Sequence, residues 1–168
     1  AALNTDAGTD AGEDGPPKML TDGAGNWVVV WEAAANLGGS GNDFDIFVSR
    51  STNNGLTWTA PALVNSNGTT DIGADGRVEL VSDRAGNVVT IWSANAKLGG
   101  TSGNGNDIFV SRSANNGLTW SAVALLNTNG TTDTADDQRP GLATNGAGAW
   151  VAVWHTNFNS GGSGTDYD

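Results

Sequence analysis

Asp45-Ile-Phe-Val-Ser-Arg-Ser-Thr-Asn-Asn-Gly-Leu-Thr-Trp58 returns 62 residues later as Asp107-Ile-Phe-Val-Ser-Arg-Ser-Ala-Asn-Asn-Gly-Leu-Thr-Trp120, with 13 of 14 positions identical. A unit of this length cannot bury its own apolar faces, so copies of it must stack. Working outward, Trp31, Trp92 and Trp154 set the register of the repeat, with steps of 61 and 62 residues. Each unit predicts four strands. The first starts near Pro17, Val78 or Pro140, and a short turn follows at Asp22–Gly25, Asp83–Gly86 or Asn145–Gly148. Gly permits positive φ in such turns, and Asp or Asn bonds its own backbone. The second strand is Trp27–Trp31, Val88–Trp92 or Trp150–Trp154, apolar on both faces and therefore covered on both. The third is Asp45–Ser51 or Asp107–Ser113, and the fourth spans Thr57–Val64 or Thr119–Leu126.

Four antiparallel strands per unit, buried on both sheet faces, describe a blade of a β-propeller. A β-sandwich gives no reason for a strict period near 62, and a parallel β-helix needs a shorter one. The expected fold is all-β: residues 1–168 form a partial propeller of about 2.7 four-stranded blades. Residues 1–15 are a leftover fourth strand and loop, 16–76 the first blade, 77–138 the second and 139–168 an incomplete third.

Ser51-Thr-Asn53-Asn-Gly55-Leu-Thr57-Trp58 and Ser113-Ala-Asn115-Asn-Gly117-Leu-Thr119-Trp120 resemble the Asp-box, the bacterial neuraminidase repeat Ser-x-Asp-x-Gly-x-Thr-Trp. Asn replaces the Asp in both copies, and its side-chain oxygen can still accept backbone N–H bonds across the turn. The resemblance implies a sialidase-type propeller, usually of six blades, with the box turning the third strand into the fourth. It also implies that the box lies on the side away from any active site.

Composition narrows the function. Gly is 25 of 168 residues, Trp seven, Met and His one each, and Cys is absent. Short strands joined by tight turns suit that mixture. The net charge of −11 argues against nucleic acid and anionic membranes as partners. No run approaches the roughly 18 apolar residues of a membrane-spanning helix. An acidic, cysteine-free repeat protein is expected to be secreted or on the cell surface, of bacterial origin.

The two short turns of each unit share one end, and the long connections share the other. These are 65–76 with its equivalents 4–15 and 127–138, and 33–43 with 94–106 and 156–166. Long loops on a rigid scaffold are where binding residues usually sit. That face is acidic, and clustered carboxylates with loop carbonyls suit Ca²⁺. Gly38-Gly-Ser-Gly-Asn-Asp43 and Gly161-Gly-Ser-Gly-Thr-Asp166 match the start of the calcium-binding repeat G-G-x-G-x-D. Asp43, Asp166, Asp71 and Asp75 are the metal candidates. Phe44, Phe158, Asn159 and Tyr167 are the candidates for holding a glycan.

The resemblance also implies what catalysis would require: three arginines on the substrate carboxylate, a Tyr–Glu nucleophile pair and an aspartic acid/base. Arg77 and Arg139 stand at the mouth of the first strand, where the first blade has Pro16. Asp75 and Asp137 are the carboxylates available as acid/base. His155 would need a partner to act as one. The recurring Arg50 and Arg112 read as solvated edge residues, and Tyr167 aligns with Phe44, as a packing residue would.

The set is incomplete, so the leading expectation is a non-catalytic extracellular module, a scaffold or a surface for glycans or proteins. A sialidase-type hydrolase completed by further blades and a calcium-stabilised surface assembly are the alternatives. Propellers need at least four blades to close, so the expected partners are further blades of a longer chain, or a second copy of this chain completing a six-bladed ring.

Overall fold

The computed structural model describes residues 12–95, 105–132, 134–159 and 167. Among these residues every regular element is a β-strand. The first sheet comprises β1 (Lys18–Thr21), β2 (Trp27–Ala33), β3 (Asp45–Ser51) and β4 (Ala62–Leu63), hydrogen-bonded in chain order. The second repeats it with β5 (Asp75–Ser82), β6 (Val88–Ala94), β7 (Asp107–Ser113) and β8 (Ala124–Leu125). The third holds β9 (Asp137–Thr144) and β10 (Trp150–Thr156). All pairings are antiparallel, as expected for meanders joined by tight turns. This architecture is consistent with propeller blades.

Stacking follows from the apolar pattern. Val28, Val30, Ile46 and Val48 of the first sheet meet Val78, Val88, Trp92 and Phe109 of the second in one buried cluster. The opposite face of the second sheet, with Val89, Ile91, Ile108 and Val110, packs on Leu142, Trp150, Ala152 and Trp154 of the third. Every residue of β6 is buried, since both its faces are covered, and its run of Val, Thr and Ile suits such a strand. β10 alternates in burial, and Val151 and Val153 are 61% and 63% exposed, because among the described residues nothing packs on its outer face. Trp31 lies against Phe47 at 6.1 Å and Trp92 against Phe109 at 6.3 Å, equivalent pairs in successive sheets. The first strands touch one another in turn, β1 against β5 and β5 against β9.

Two boundaries depart from the sequence reading. The fourth strands are two residues each, not the eight expected over 57–64 and 119–126. A side chain takes over the ladder: Arg50 N–H donates to the Thr59 hydroxyl, while Ser49 Oγ donates to the Thr59 carbonyl. Ser121 accepts in the same way, its hydroxyl from Arg112 N–H and its carbonyl from Ser111 Oγ. A hydroxyl in place of a peptide carbonyl ends regular pairing before the strand can lengthen. The first strands of the second and third sheets, conversely, begin earlier than expected, at Asp75 and Asp137. A bulge absorbs the extra residues, with Arg77 at φ 57° and Arg139 at φ 51°. Asp75 and Asp137 are therefore strand residues, not loop residues.

The short turns gather at one end. In the β3–β4 turn, Asn53 Oδ1 accepts from Ser51 Oγ and Thr57 N–H, Ser51 Oγ accepts from Gly55 N–H, and Trp58 Nε1 donates to the Gly55 carbonyl. Ser113, Asn115, Gly117 and Thr119 repeat the network. Asn54 and Gly55 both take positive φ, 58° and 79°, so the tightest bend falls on the residue pair that tolerates it best. Arg50 is not a solvated edge residue: its Nε donates to the Asn116 carbonyl at 2.6 Å, tying the first sheet to the turn of the second. Arg112, at the same repeat position, is exposed.

Candidate functional site

Two arrangements on the long-loop face bring chemistry together. The first lies where the first sheet meets the second. Asn65 follows β4 and is fully buried, with its Oδ1 accepting from Ile46 N–H at 3.0 Å. Its Nδ2 donates to Asp45 Oδ1 at 2.7 Å and to Asp75 Oδ2 at 2.6 Å. One amide thus braces a carboxylate from β3 of one sheet and a carboxylate from β5 of the next. Asp43 and Asp71 complete the group: one carboxylate oxygen each of Asp43, Asp45 and Asp71 lies within 4.8 Å of the others. Asn67 Nδ2 donates to Asp71 Oδ2, pinning the loop that carries both. Gly68 is required here, since a Cβ on it would stand 2.5 Å from Asp45 Oδ1.

Burial and neighbouring charge oppose ionisation of Asp45, Asp71 and Asp75. Burial pushes the Asp45 carboxyl up from 3.8 to about 6, helped by the charges of Asp43 and Asp71 and opposed by the Asn65 amide. Asp71 is raised by burial, then by Asp43. Asp75 is raised well above the usual range by burial, then by Asp71 and Asp45. The Trp92 indole N–H lies near enough to oppose that rise, at a geometry short of a hydrogen bond.

Of the residues singled out for metal, Asp43, Asp71 and Asp75 do meet at this junction, and Asp166 lies outside the described residues. Sequence reasoning missed Asp45 and the brace Asn65. A signal was present: Asn65 and Asn127 recur at one repeat position, as do Asp45 and Asp107, and Asp75 and Asp137. The second junction uses it, with Asn127 Nδ2 donating to Asp107 Oδ1 at 2.8 Å and Asp137 Oδ2 at 2.7 Å. Asp75 and Asp137 are each 1% exposed, so the two carboxylates proposed as acid/base lie beneath the surface rather than facing substrate.

The second arrangement is a groove of about 260 Å³ whose walls include Glu32, Phe44, Arg77, Ser93, Asn106 and Gln138. It adjoins a pocket of about 240 Å³ that shares Glu32 and Arg77 and adds Arg139, Pro16 and Pro140. The bulges bring the two arginines there. Glu32 Oε2 accepts from the Arg77 backbone N–H, crossing from β2 to the bulge of β5. Glu32 and Ser93 are equivalent repeat positions, and both line the groove. His155, the third equivalent, is exposed on β10 opposite Gln138. Tyr167 Oη reaches Asp136 Oδ2 at 3.4 Å and is half exposed, and Phe158 is 39% exposed. Asn159 lies just beyond β10 and is exposed. Phe44 is thus the candidate glycan-holding residue that lines the groove.

With this geometry in place, comparison with solved structures gives a direct result. The fold is consistent with that of a sialidase. A Hadza microbial sialidase superposes with a TM-score of 0.51 at 18% identity, covering 67% of this chain and 25% of its own. An N-acetylgalactosamine deacetylase from F. plautii, solved with blood group B trisaccharide, gives 0.49 at 12% identity, covering 86% of this chain and 46% of its own. The chain therefore spans a quarter of the sialidase and under half of the deacetylase. At these identities the likeness concerns the fold. No family model matches the sequence, and no curated protein does either.

Proposed function

We propose that this chain is a non-catalytic propeller segment of an extracellular, carbohydrate-related protein, and that its long-loop face holds glycans. The observation that carries the reading is the groove at Glu32, Phe44, Arg77, Ser93, Asn106 and Gln138. It combines an aromatic face for a sugar ring with amide, hydroxyl, carboxylate and guanidinium groups for its hydroxyls, the mixture that orients a small polar ligand. Its Arg77 suits an acidic sugar, since guanidinium pairs with a carboxylate in two parallel bonds. The sialidase of similar fold supports a glycan over a peptide. The turns resembling Asp-boxes fit the scaffold role, since their polar atoms are spent on one another at the opposite end. A glycan array followed by calorimetry tests this: acidic or N-acetylated sugars are retained without turnover, and Arg77→Ala weakens retention about tenfold. An array on which nothing is retained removes the glycan role and leaves the scaffold.

A second reading, sialidase-type hydrolysis completed by further blades, is favoured by one observation. Arg77 and Arg139 line the same pocket. Two of the arginines needed for a substrate carboxylate are then together, with Pro16 at the third equivalent position. Release of fluorophore from a fluorogenic sialoside by the longest available form of the protein would establish this reading, and its absence would remove it.

A further inference from the structure

We propose that the junction between the first and second blades is a Ca²⁺ site, formed by Asp43, Asp45, Asn67, Asp71 and Asp75, in which the ion clips consecutive blades together. This goes beyond the glycan role and does not depend on it.

Proximity of carboxylates alone would not carry the assignment. The second observation is the state of their oxygens. Asp43 Oδ2, Asp45 Oδ2, Asn67 Oδ1, Asp71 Oδ1 and Asp75 Oδ1 are all out of contact with solvent, and none has a hydrogen-bond partner. Asp45 and Asp75 are 0% and 1% exposed, and each has its other oxygen held by Asn65. The brace thus satisfies one oxygen of each buried carboxylate; Asp45 belongs to the carboxylate cluster, and Asp75 lies beside it, near the Trp92 indole. A buried carboxylate oxygen without a donor is costly, and buried charges are normally paired or bound to metal. The described residues place no Lys or Arg in hydrogen-bond or ion-pair contact with these five residues: Lys18 pairs with Glu79, and Arg50 donates to Asn116. Ser40 Oγ, which lies near Asp45, spends its proton on the Ala35 carbonyl.

The donor set selects the ion. All five atoms are hard oxygens, four of them from carboxylates, with no imidazole or thiolate. Ca²⁺ takes six to eight oxygens from flexible loops, whereas Mg²⁺ prefers a strict octahedron that keeps several waters. Three separate pieces of chain supply these ligands. Asp43 and Asp45 enter β3, Asn67 and Asp71 belong to the inter-blade connection, and Asp75 opens β5. A bound ion therefore joins one blade to the next, and its binding energy adds to the stability of the stack.

The second junction provides an internal contrast. Gly105 stands where Asp43 does, and a Cβ there would lie 2.0 Å from the Ala135 carbonyl oxygen. That backbone leaves no room for the carboxylate. The ion is therefore assigned to the first junction, at one per chain for the described residues.

The test titrates CaCl₂ into chelator-stripped protein by calorimetry and follows thermal unfolding in parallel. One Ca²⁺ per chain, a rise in melting temperature, and a Mg²⁺ response at least tenfold weaker are expected. Asp43→Gly, which copies the second junction, is expected to weaken Ca²⁺ binding at least tenfold and abolish most of the melting-temperature rise. Should that variant not fold, the nearly isosteric Asp71→Asn reads the same effect. Absence of binding heat and of a melting shift with Ca²⁺ overturns the proposal, as does Ca²⁺ binding undiminished in the variant that folds.

Discussion

The two junctions between successive sheets have the same apolar chemistry and solve the same polar problem differently. Both bury a β-rich face against the next sheet, and both use an asparagine, Asn65 or Asn127, to hold two carboxylates. At the first junction Phe44 precedes the buried carboxylate, Ala74 precedes Asp75, and the surrounding groups are acidic. At the second, Asn106 and Asp136 occupy those places. Asp136 Oδ1 accepts from Asn106 N–H and Nδ2, both at 2.9 Å, while Asp136 N–H donates to Asn157 Oδ1 at 2.7 Å. The second junction adds protein hydrogen bonds around Asp136, whereas the first gathers the carboxylates of Asp43, Asp45 and Asp71. Near-identical repeats therefore need not be equivalent in stability or in what they bind.

The largest expected effect probes what the junctions share. Trp92 is 1% exposed and sits in the cluster joining the first two sheets, so Trp92→Ala should destabilise by about 3–5 kcal/mol. Urea unfolding measures it, and a loss under 1 kcal/mol would mean that apolar packing does not hold the blades together. Next comes the brace. Asn65→Ala leaves two buried carboxylates without their donor, a cost of roughly 2–4 kcal/mol. Asn127→Ala should cost a similar amount, and a clear inequality between the two in metal-free buffer would break the equivalence of the two braces.

Asp136→Ala removes the bonds peculiar to the second junction and should cost about 1–2 kcal/mol, with the Ca²⁺ response unchanged. Lost Ca²⁺ response in that variant would show the junctions to be coupled. A pH series sharpens the same contrast. Asp45 is raised from 3.8 to about 6, so its protonated form is favoured in the folded state. That stability is fully present below 3.8 and is lost as pH rises through about 6, so metal-free protein should melt at falling temperature across this window. Asp22 and Asp83 run the other way, held low first by the amides of Asn26 and Asn87, and act only as pH falls below the usual carboxylate value. A flat profile between pH 4 and 7 would contradict the packing of Asp45. The smallest effect belongs to Lys18–Glu79, a 2.6 Å pair with side chains 42% and 30% exposed. Lys18→Ala should change stability by less than about 1 kcal/mol.

Much of the fold was legible because local sequence carries it. The repeat at Asp45–Trp58 and Asp107–Trp120 announced strand, turn and strand, and β3 and β7 match the reading residue for residue. The second strands were legible at Trp27–Trp31 and Val88–Trp92, where continuous apolar runs imply cover on both faces. The fourth strands were misjudged because Thr59 and Ser121 look like strand residues, and their competition with the ladder appears only when Arg50 and Arg112 lie opposite. Arg50 was misplaced for a related reason, since its acceptor is 66 residues away on the neighbouring blade.

The candidate site was half legible. Asp43, Asp71 and Asp75 stood out as acidic loop residues, but Asp45 looked like an ordinary strand start and Asn65 like a turn residue. Their roles come from contacts between residues 10 and 20 apart in sequence. Periodicity, turn chemistry and the identity of the repeats are properties of short stretches, so the chain alone determined sheets, strand order within them and the need to stack. Which oxygens are left without donors, and that Arg77 and Arg139 share a pocket, depend on how separate blades approach one another. Tertiary structure decided those, because desolvation and charge crowding act through space and carry no imprint in local spacing.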